Sequence, residues 1–173
     1  MIIYIVRHAE AVEGSDLIID EWRYLTERGR KVANDMGEAI AKHGPKPRLT
    51  LTSPLTRAVQ TAEILAGSAC RKNVVVANAL LLPGGNVSEL IHFIRKGKDA
   101  KRVMLVGHEP QLGTLVAALL GSESEVIALK KGACVALKLD PDAADKSAAF
   151  LWYLVPGKKR TTSFKKAFPQ TVT

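Results

Sequence analysis

The sequence predicts a three-layer α/β/α domain on a mostly parallel sheet, and three observations carry that expectation. Short apolar runs of strand length recur along the 173 residues. The first four alternate with stretches of helical periodicity, and they are apolar along their length, as strands covered on both faces are. These runs are Ile2 to Val6, Leu49 to Thr52, Val74 to Ala77, Val103 to Val106, Cys134 to Leu139 and Phe150 to Leu154.

The intervening helices follow from spacing and caps. After Thr26, a suitable N-cap, Val32, Met36 and Ile40 recur every fourth residue, and the pattern stops before Gly44 and Pro45. Ser53 followed by Pro54 reads as an N-cap with proline at the first helical position, and Ala58, Ala62 and Leu65 mark one face up to Gly67. Asn86 with Glu89 forms a capping box that opens a helix carrying Leu90, Ile91 and Ile94. Pro110 begins a fourth, with Leu112, Leu115, Val116 and Leu119 ahead of Gly121. The last two apolar runs are joined by the turn-rich Asp140 to Ser147 segment, which is short enough for a hairpin and predicts an antiparallel edge.

Composition narrows the function classes. No stretch approaches the roughly 18 uninterrupted apolar residues of a membrane span, so no membrane role is expected. Met1 runs straight into an apolar segment without a basic leader, and Cys70 and Cys134 form no CxxC pair; both favour a reducing cytoplasm. The net charge is +8, but Lys158, Lys159, Arg160, Lys165 and Lys166 supply five of those units after Pro156. One domain over residues 1–156 with a basic, flexible tail over 157–173 is the expected organisation. Aromatic residues make up only 5% of the chain and interleave with no basic stripe, which disfavours nucleic acid.

Ligands in open α/β sheets bind beyond the carboxyl ends of the strands. Three segments bring cations to that edge: Arg7 and His8 after the first strand, Arg57 after the second, and His108 after VMLV and Gly107. Helix N-termini add backbone donors there, and two guanidinium forks suit a phosphoryl group. The chain has no G-x-x-x-x-G-K-[ST] loop, neither cysteine starts a Cys-x5-Arg loop, and Ser53 lacks the glycines of a nucleophile elbow. Histidine is the nucleophile left over: His8 would attack phosphorus, Arg7 and Arg57 would hold the equatorial oxygens, and His108 would donate a hydrogen bond.

Arg7-His8-Ala9-Glu10, Leu25-Thr26 with Gly29, Ser53-Pro54-Leu55-Thr56-Arg57-Ala58 with Gln60-Thr61-Ala62, and Val106-Gly107-His108-Glu109-Pro110 resemble, in order, the motifs of the histidine phosphatase superfamily. The resemblance covers most of residues 1–155. It implies a phosphoglycerate mutase-like fold, catalysis by His8, Arg7, Arg57 and His108, substrate binding by Arg7, Arg57 and His108, and no metal or cofactor. The chain is similar to the compact SixA-type phosphohistidine phosphatases, because larger members carry an insertion with a general acid that is missing here. Only Glu89 and Asp99 are acidic between Glu63 and Glu109, and the capping box competes for Glu89.

A weak or absent general acid favours phosphohistidine as substrate, since imidazole leaves with less assistance than an alkoxide. The implied partner is a phosphorylated protein such as a histidine phosphotransfer domain. The alternatives are a phosphatase for small phosphomonoesters and a non-catalytic phosphoprotein-binding domain. A metal site from His8, Glu10, His108 and Glu109 is disfavoured by Arg7 beside it. Arg23 is expected either at the pocket rim or in solvent, and Trp22 and Trp152 in packing.

Overall fold

In the computed structural model, which describes residues 1–69, 74–97, 100–122, 127–140 and 148–169, the strands form one six-stranded sheet. They are β1 (Ile2–Arg7), β2 (Leu49–Thr52), β3 (Val74–Ala77), β4 (Arg102–Gly107), β5 (Cys134–Leu139) and β6 (Ala148–Leu154), arranged in the order β3-β2-β4-β1-β5-β6. The pairs β1 to β4, β4 to β2 and β2 to β3 are parallel. Strand β5 lies antiparallel to β1 and to β6, which gives the expected antiparallel edge. The turn between β5 and β6, together with Cys70 and Asp99, lies outside the described residues.

Helices cover both faces because both sets of side chains on the central strands are apolar. Tyr4, Val6, Met104 and Val106 pack with Met36 and Ile40 of α1 (Glu27–His43) and with Ala58, Ala62 and Leu65 of α2 (Thr56–Ala69). Ile3, Ile5 and Leu105 point the other way, against Leu90 and Ile94 of α3 (Val87–Lys96) and Leu112, Leu115 and Leu119 of α4 (Gln111–Leu120). Trp152 completes the first core, its ring centroid 5.7 Å from that of Tyr4. The Cys134 thiol is fully buried in the same layer, and burial pushes its pKa up.

Three expectations need correction. The second helix starts at Thr56, not behind a Ser53 cap, since the Ser53 hydroxyl accepts from Leu55 N and meets His108 instead; the helix also runs past Gly67 to Ala69. Strand β3 is apolar yet uncovered, with Val74 58% and Val76 43% exposed, because it is the sheet edge. The basic segment after Pro156 is not a free tail as far as Pro169. Thr161 forms an antiparallel bridge with Tyr153, and the short helix α5 (Phe164–Ala167) sets Phe164 and Phe168 against the core. The Phe168 ring centroid lies 4.7 Å from that of Tyr153. The two phenylalanines, one helical turn apart, bury apolar surface that a charge count overlooks.

Register positions the site. Arg7 is paired with Gly107 across β1 and β4, and Thr52 with Val106 across β2 and β4. The next residues along each chain, His8, Ser53 and His108, therefore emerge side by side at one edge of the sheet.

Candidate active site

The segment following His8 is held by the other motifs. Thr61 accepts from the Ala9 backbone N–H at 3.1 Å and donates to the Arg57 carbonyl at 2.7 Å. Gln60 accepts from Leu25 N at 2.8 Å. Thr26 caps α1 by accepting from Gly29 N at 2.9 Å, and its hydroxyl donates to a Glu10 carboxylate oxygen at 3.0 Å. Gly29 must be glycine because a methyl group there would overlap the Glu10 carbonyl. Gly29→Ala is expected to destabilise the fold by about 2–3 kcal/mol, since relief of that overlap must move backbone. The thermal midpoint should drop by several degrees; an unchanged midpoint in calorimetry contradicts this packing.

His8 is 7% exposed. Its Nδ1 lies 2.7 Å from the Ala9 carbonyl oxygen, which can only accept, so Nδ1 carries the ring proton and Nε2 keeps a lone pair. Burial, with Arg57, Arg7 and Lys131 nearby, lowers the His8 pKa to about 4 against the pull of that hydrogen bond. The His108 ring centroid is 5.1 Å away. Burial first, then the charges of His8, Arg57 and Arg7, lower its pKa to about 3.

His108 Nε2 sits 2.8 Å from Ser53 Oγ. That oxygen also accepts from Leu55 N, and in the tautomer in which its own hydrogen goes to Nε2 the imidazole proton lies on Nδ1. Nδ1 of His108 and Nε of Arg7 are both buried without a hydrogen-bond partner among the described residues, as donors reserved for a ligand would be. Arg7 is fixed through Nη1 to the Leu129 carbonyl at 2.8 Å. Nearby Glu109 is half-buried, and burial raises its carboxyl pKa against the pull of backbone donors and Arg7.

Arg57 is 5% exposed and carries a partner that sequence reasoning missed. Its Nη1 donates to the Asp20 carbonyl at 2.6 Å and its Nη2 to Asp20 Oδ2 at 2.9 Å. Asp20 Oδ1 in turn accepts from Arg23 Nη1 at 3.0 Å. Burial works against the charge on Asp20, but hydrogen bonds from Arg23 and Arg57 hold its carboxyl below the usual range. One carboxylate among several between β1 and α1, 37 positions from its partner, leaves no pattern to find. Arg23 is thus joined to Arg57 through Asp20, and its Nε also donates to the Val12 carbonyl at 2.7 Å.

Arg7, His8, Arg57 and His108 thus converge, whereas Glu89 stands exposed in the first turn of α3 behind its Asn86 cap. With helices α2 and α4 beginning beside it, this cluster is built for an anion. A family model described as the histidine phosphatase superfamily, branch 1, matches residues 3–80, which hold Arg7, His8 and Arg57. An uncharacterised protein of Picosynechococcus is 31% identical over 80% of this chain and 85% of its own length. The chain belongs to the histidine phosphatase superfamily.

Within the superfamily, the fold is close to that of the protein histidine phosphatase SixA complexed with tungstate, with a TM-score of 0.81 at 23% identity over 90% of this chain and 97% of that one. An α-ribazole phosphatase from Shigella flexneri superposes with a TM-score of 0.67 at 17% identity, over 87% of this chain and 94% of its own. The superfamily's fold therefore accommodates differently named phosphatases.

The two depressed imidazoles predict an acid limit to stability. Each binds its proton at lower pH when folded, so the unfolded chain holds more protons between the two values. Stability is full above about pH 6.5 and is lost as pH falls towards the folded values of about 4 and about 3. The loss is on the order of 5–10 kcal/mol for the pair if both titrate fully. Imidazole NMR signals followed from pH 7 to pH 3 check this, and an ordinary midpoint of 6.5 for His8 contradicts it.

Proposed function

We propose that this protein is a phosphohistidine phosphatase that works through a phosphorylated His8. The observation that carries the proposal is the neutral His8 imidazole, whose hydrogen bond through Nδ1 leaves the Nε2 lone pair beside Arg7, Arg57 and His108. In the first step Nε2 bonds to phosphorus as the bond from phosphorus to the leaving imidazole nitrogen breaks, and that nitrogen takes a proton from solvent. In the second, water attacks the phosphorylated His8, loses a proton, and releases inorganic phosphate with His8 restored. Arg7 and Arg57 stabilise the charge on the transferred group, and the Nδ1–H of His108 donates to it.

The exposed position of Glu89 supports phosphohistidine over a sugar phosphate, because an alkoxide leaving group requires a proton more urgently than an imidazole does. The proposed substrate is a histidine-phosphorylated signalling protein, such as a histidine phosphotransfer domain, in the cytoplasm. Among the described residues no helix is long and apolar enough to cross a membrane. The mechanism calls for no metal or cofactor. The test is a rapid quench into alkaline detergent with a radiolabelled phosphohistidine peptide, phosphoserine and p-nitrophenyl phosphate. An alkali-stable, acid-labile label on the peptide containing His8, and the highest kcat/KM for phosphohistidine, are expected. Absence of a label at His8, or a clear preference for phosphoserine, defeats the proposal.

A further inference from the structure

Leu17, Ile19, Trp22 and Tyr24 are 90%, 49%, 65% and 48% exposed, and all lie in the loop between β1 and α1. Clustered apolar exposure of this kind marks a contact surface, whereas scattered single residues do not. The loop is well tied down. Val12 N donates to the Tyr24 carbonyl at 2.9 Å, Ser15 and Ile18 form a bridge, and Arg23 Nε holds the Val12 carbonyl. Asp20, in the middle of the apolar set, is the residue bound to Arg57. The patch is therefore anchored to the arginine proposed to grip phosphate, at the lip of the same pocket.

Its charge is opposite to that of the chain. Between positions 13 and 24 stand Glu13, Asp16, Asp20 and Glu21 against Arg23, while the whole protein carries +8. An acidic, apolar lip repels nucleic acid and anionic lipid, and a small phosphate ester has no apolar surface to lay on it. It complements a protein surface that combines an apolar patch with lysines or arginines.

We infer that the 13–24 loop is the docking surface for the folded protein that presents the phosphorylated histidine, which seats an apolar patch ringed by basic residues on Leu17, Ile19, Trp22 and Tyr24. The inference rests on the phosphohistidine phosphatase reading. It makes the loop a specificity element: it acts on the protein carrier of the phosphoryl group and not on the bond that breaks.

The test compares a histidine phosphotransfer domain, phosphorylated chemically with phosphoramidate, with free phosphohistidine and p-nitrophenyl phosphate. In Leu17→Ser with Trp22→Ser, kcat/KM for the phosphorylated domain should fall about tenfold to a hundredfold through KM, and both small substrates should be turned over as before. Glu13→Lys with Glu21→Lys should impose the same selective loss and make the wild-type salt dependence disappear. An equal loss on all three substrates, or no loss on the domain in either variant, overturns the inference. So does a wild-type enzyme that prefers free phosphohistidine to the domain. A wild-type enzyme inactive on both phosphohistidine substrates overturns the function reading itself, and the docking inference with it.

Discussion

His8→Ala is expected to lower kcat on a phosphohistidine substrate by at least about 10,000-fold, the scale seen when a covalent nucleophile is removed. The reasoning is geometric. His8 has one ring nitrogen committed to the Ala9 carbonyl and the other free, on a ring close to Arg7, Arg57 and His108. His108, the neighbouring imidazole, has its Nε2 engaged with Ser53 Oγ at 2.8 Å. Rapid-quench single turnovers measure the loss directly, and the acid-labile label should vanish with it. The variant should also resist acid better than the parent, since one buried imidazole that must be protonated on unfolding is gone. Turnover within tenfold of the parent would remove His8 from the mechanism.

Arg57→Ala should cost about 100-fold to 10,000-fold in kcat/KM, the range for removing a positioned cation or donor from a phosphoryl or oxyanion site. Arg57 is buried to 5% exposure, with its fork aligned by Asp20 on one side, so its charge acts in surroundings of low dielectric. Arg57→Lys keeps the charge but cannot reproduce the planar two-point grip, and should recover only part of the loss. Competitive inhibition by inorganic phosphate provides an independent readout: its Ki should rise in both variants. A Ki unchanged in Arg57→Ala would mean that phosphate binds elsewhere.

The fold was largely legible because strands and helices announce themselves locally. All six apolar runs became strands, and Thr26, Asn86 and Gly121 ended or began helices as their chemistry requires. Ser53 was misread for an instructive reason. A serine followed by proline looks like a cap, but a histidine 55 positions away claims its hydroxyl, and the helix begins later. The segment after Pro156 was misread because its lysines outnumber its phenylalanines, although the phenylalanines decide where it lies.

By itself, the sequence determined the layer order, the edge of the sheet where cations collect, and the four side chains Arg7, His8, Arg57 and His108, because each of these depends on residues close together in the chain or on a motif of fixed spacing. Only the tertiary structure decided which ring nitrogen of His8 is free, how far burial lowers both imidazoles, and that Asp20 grips Arg57 while the apolar residues around it face outward. Those properties arise from contacts between distant segments, and from the water such contacts exclude, and neither is written in any local pattern.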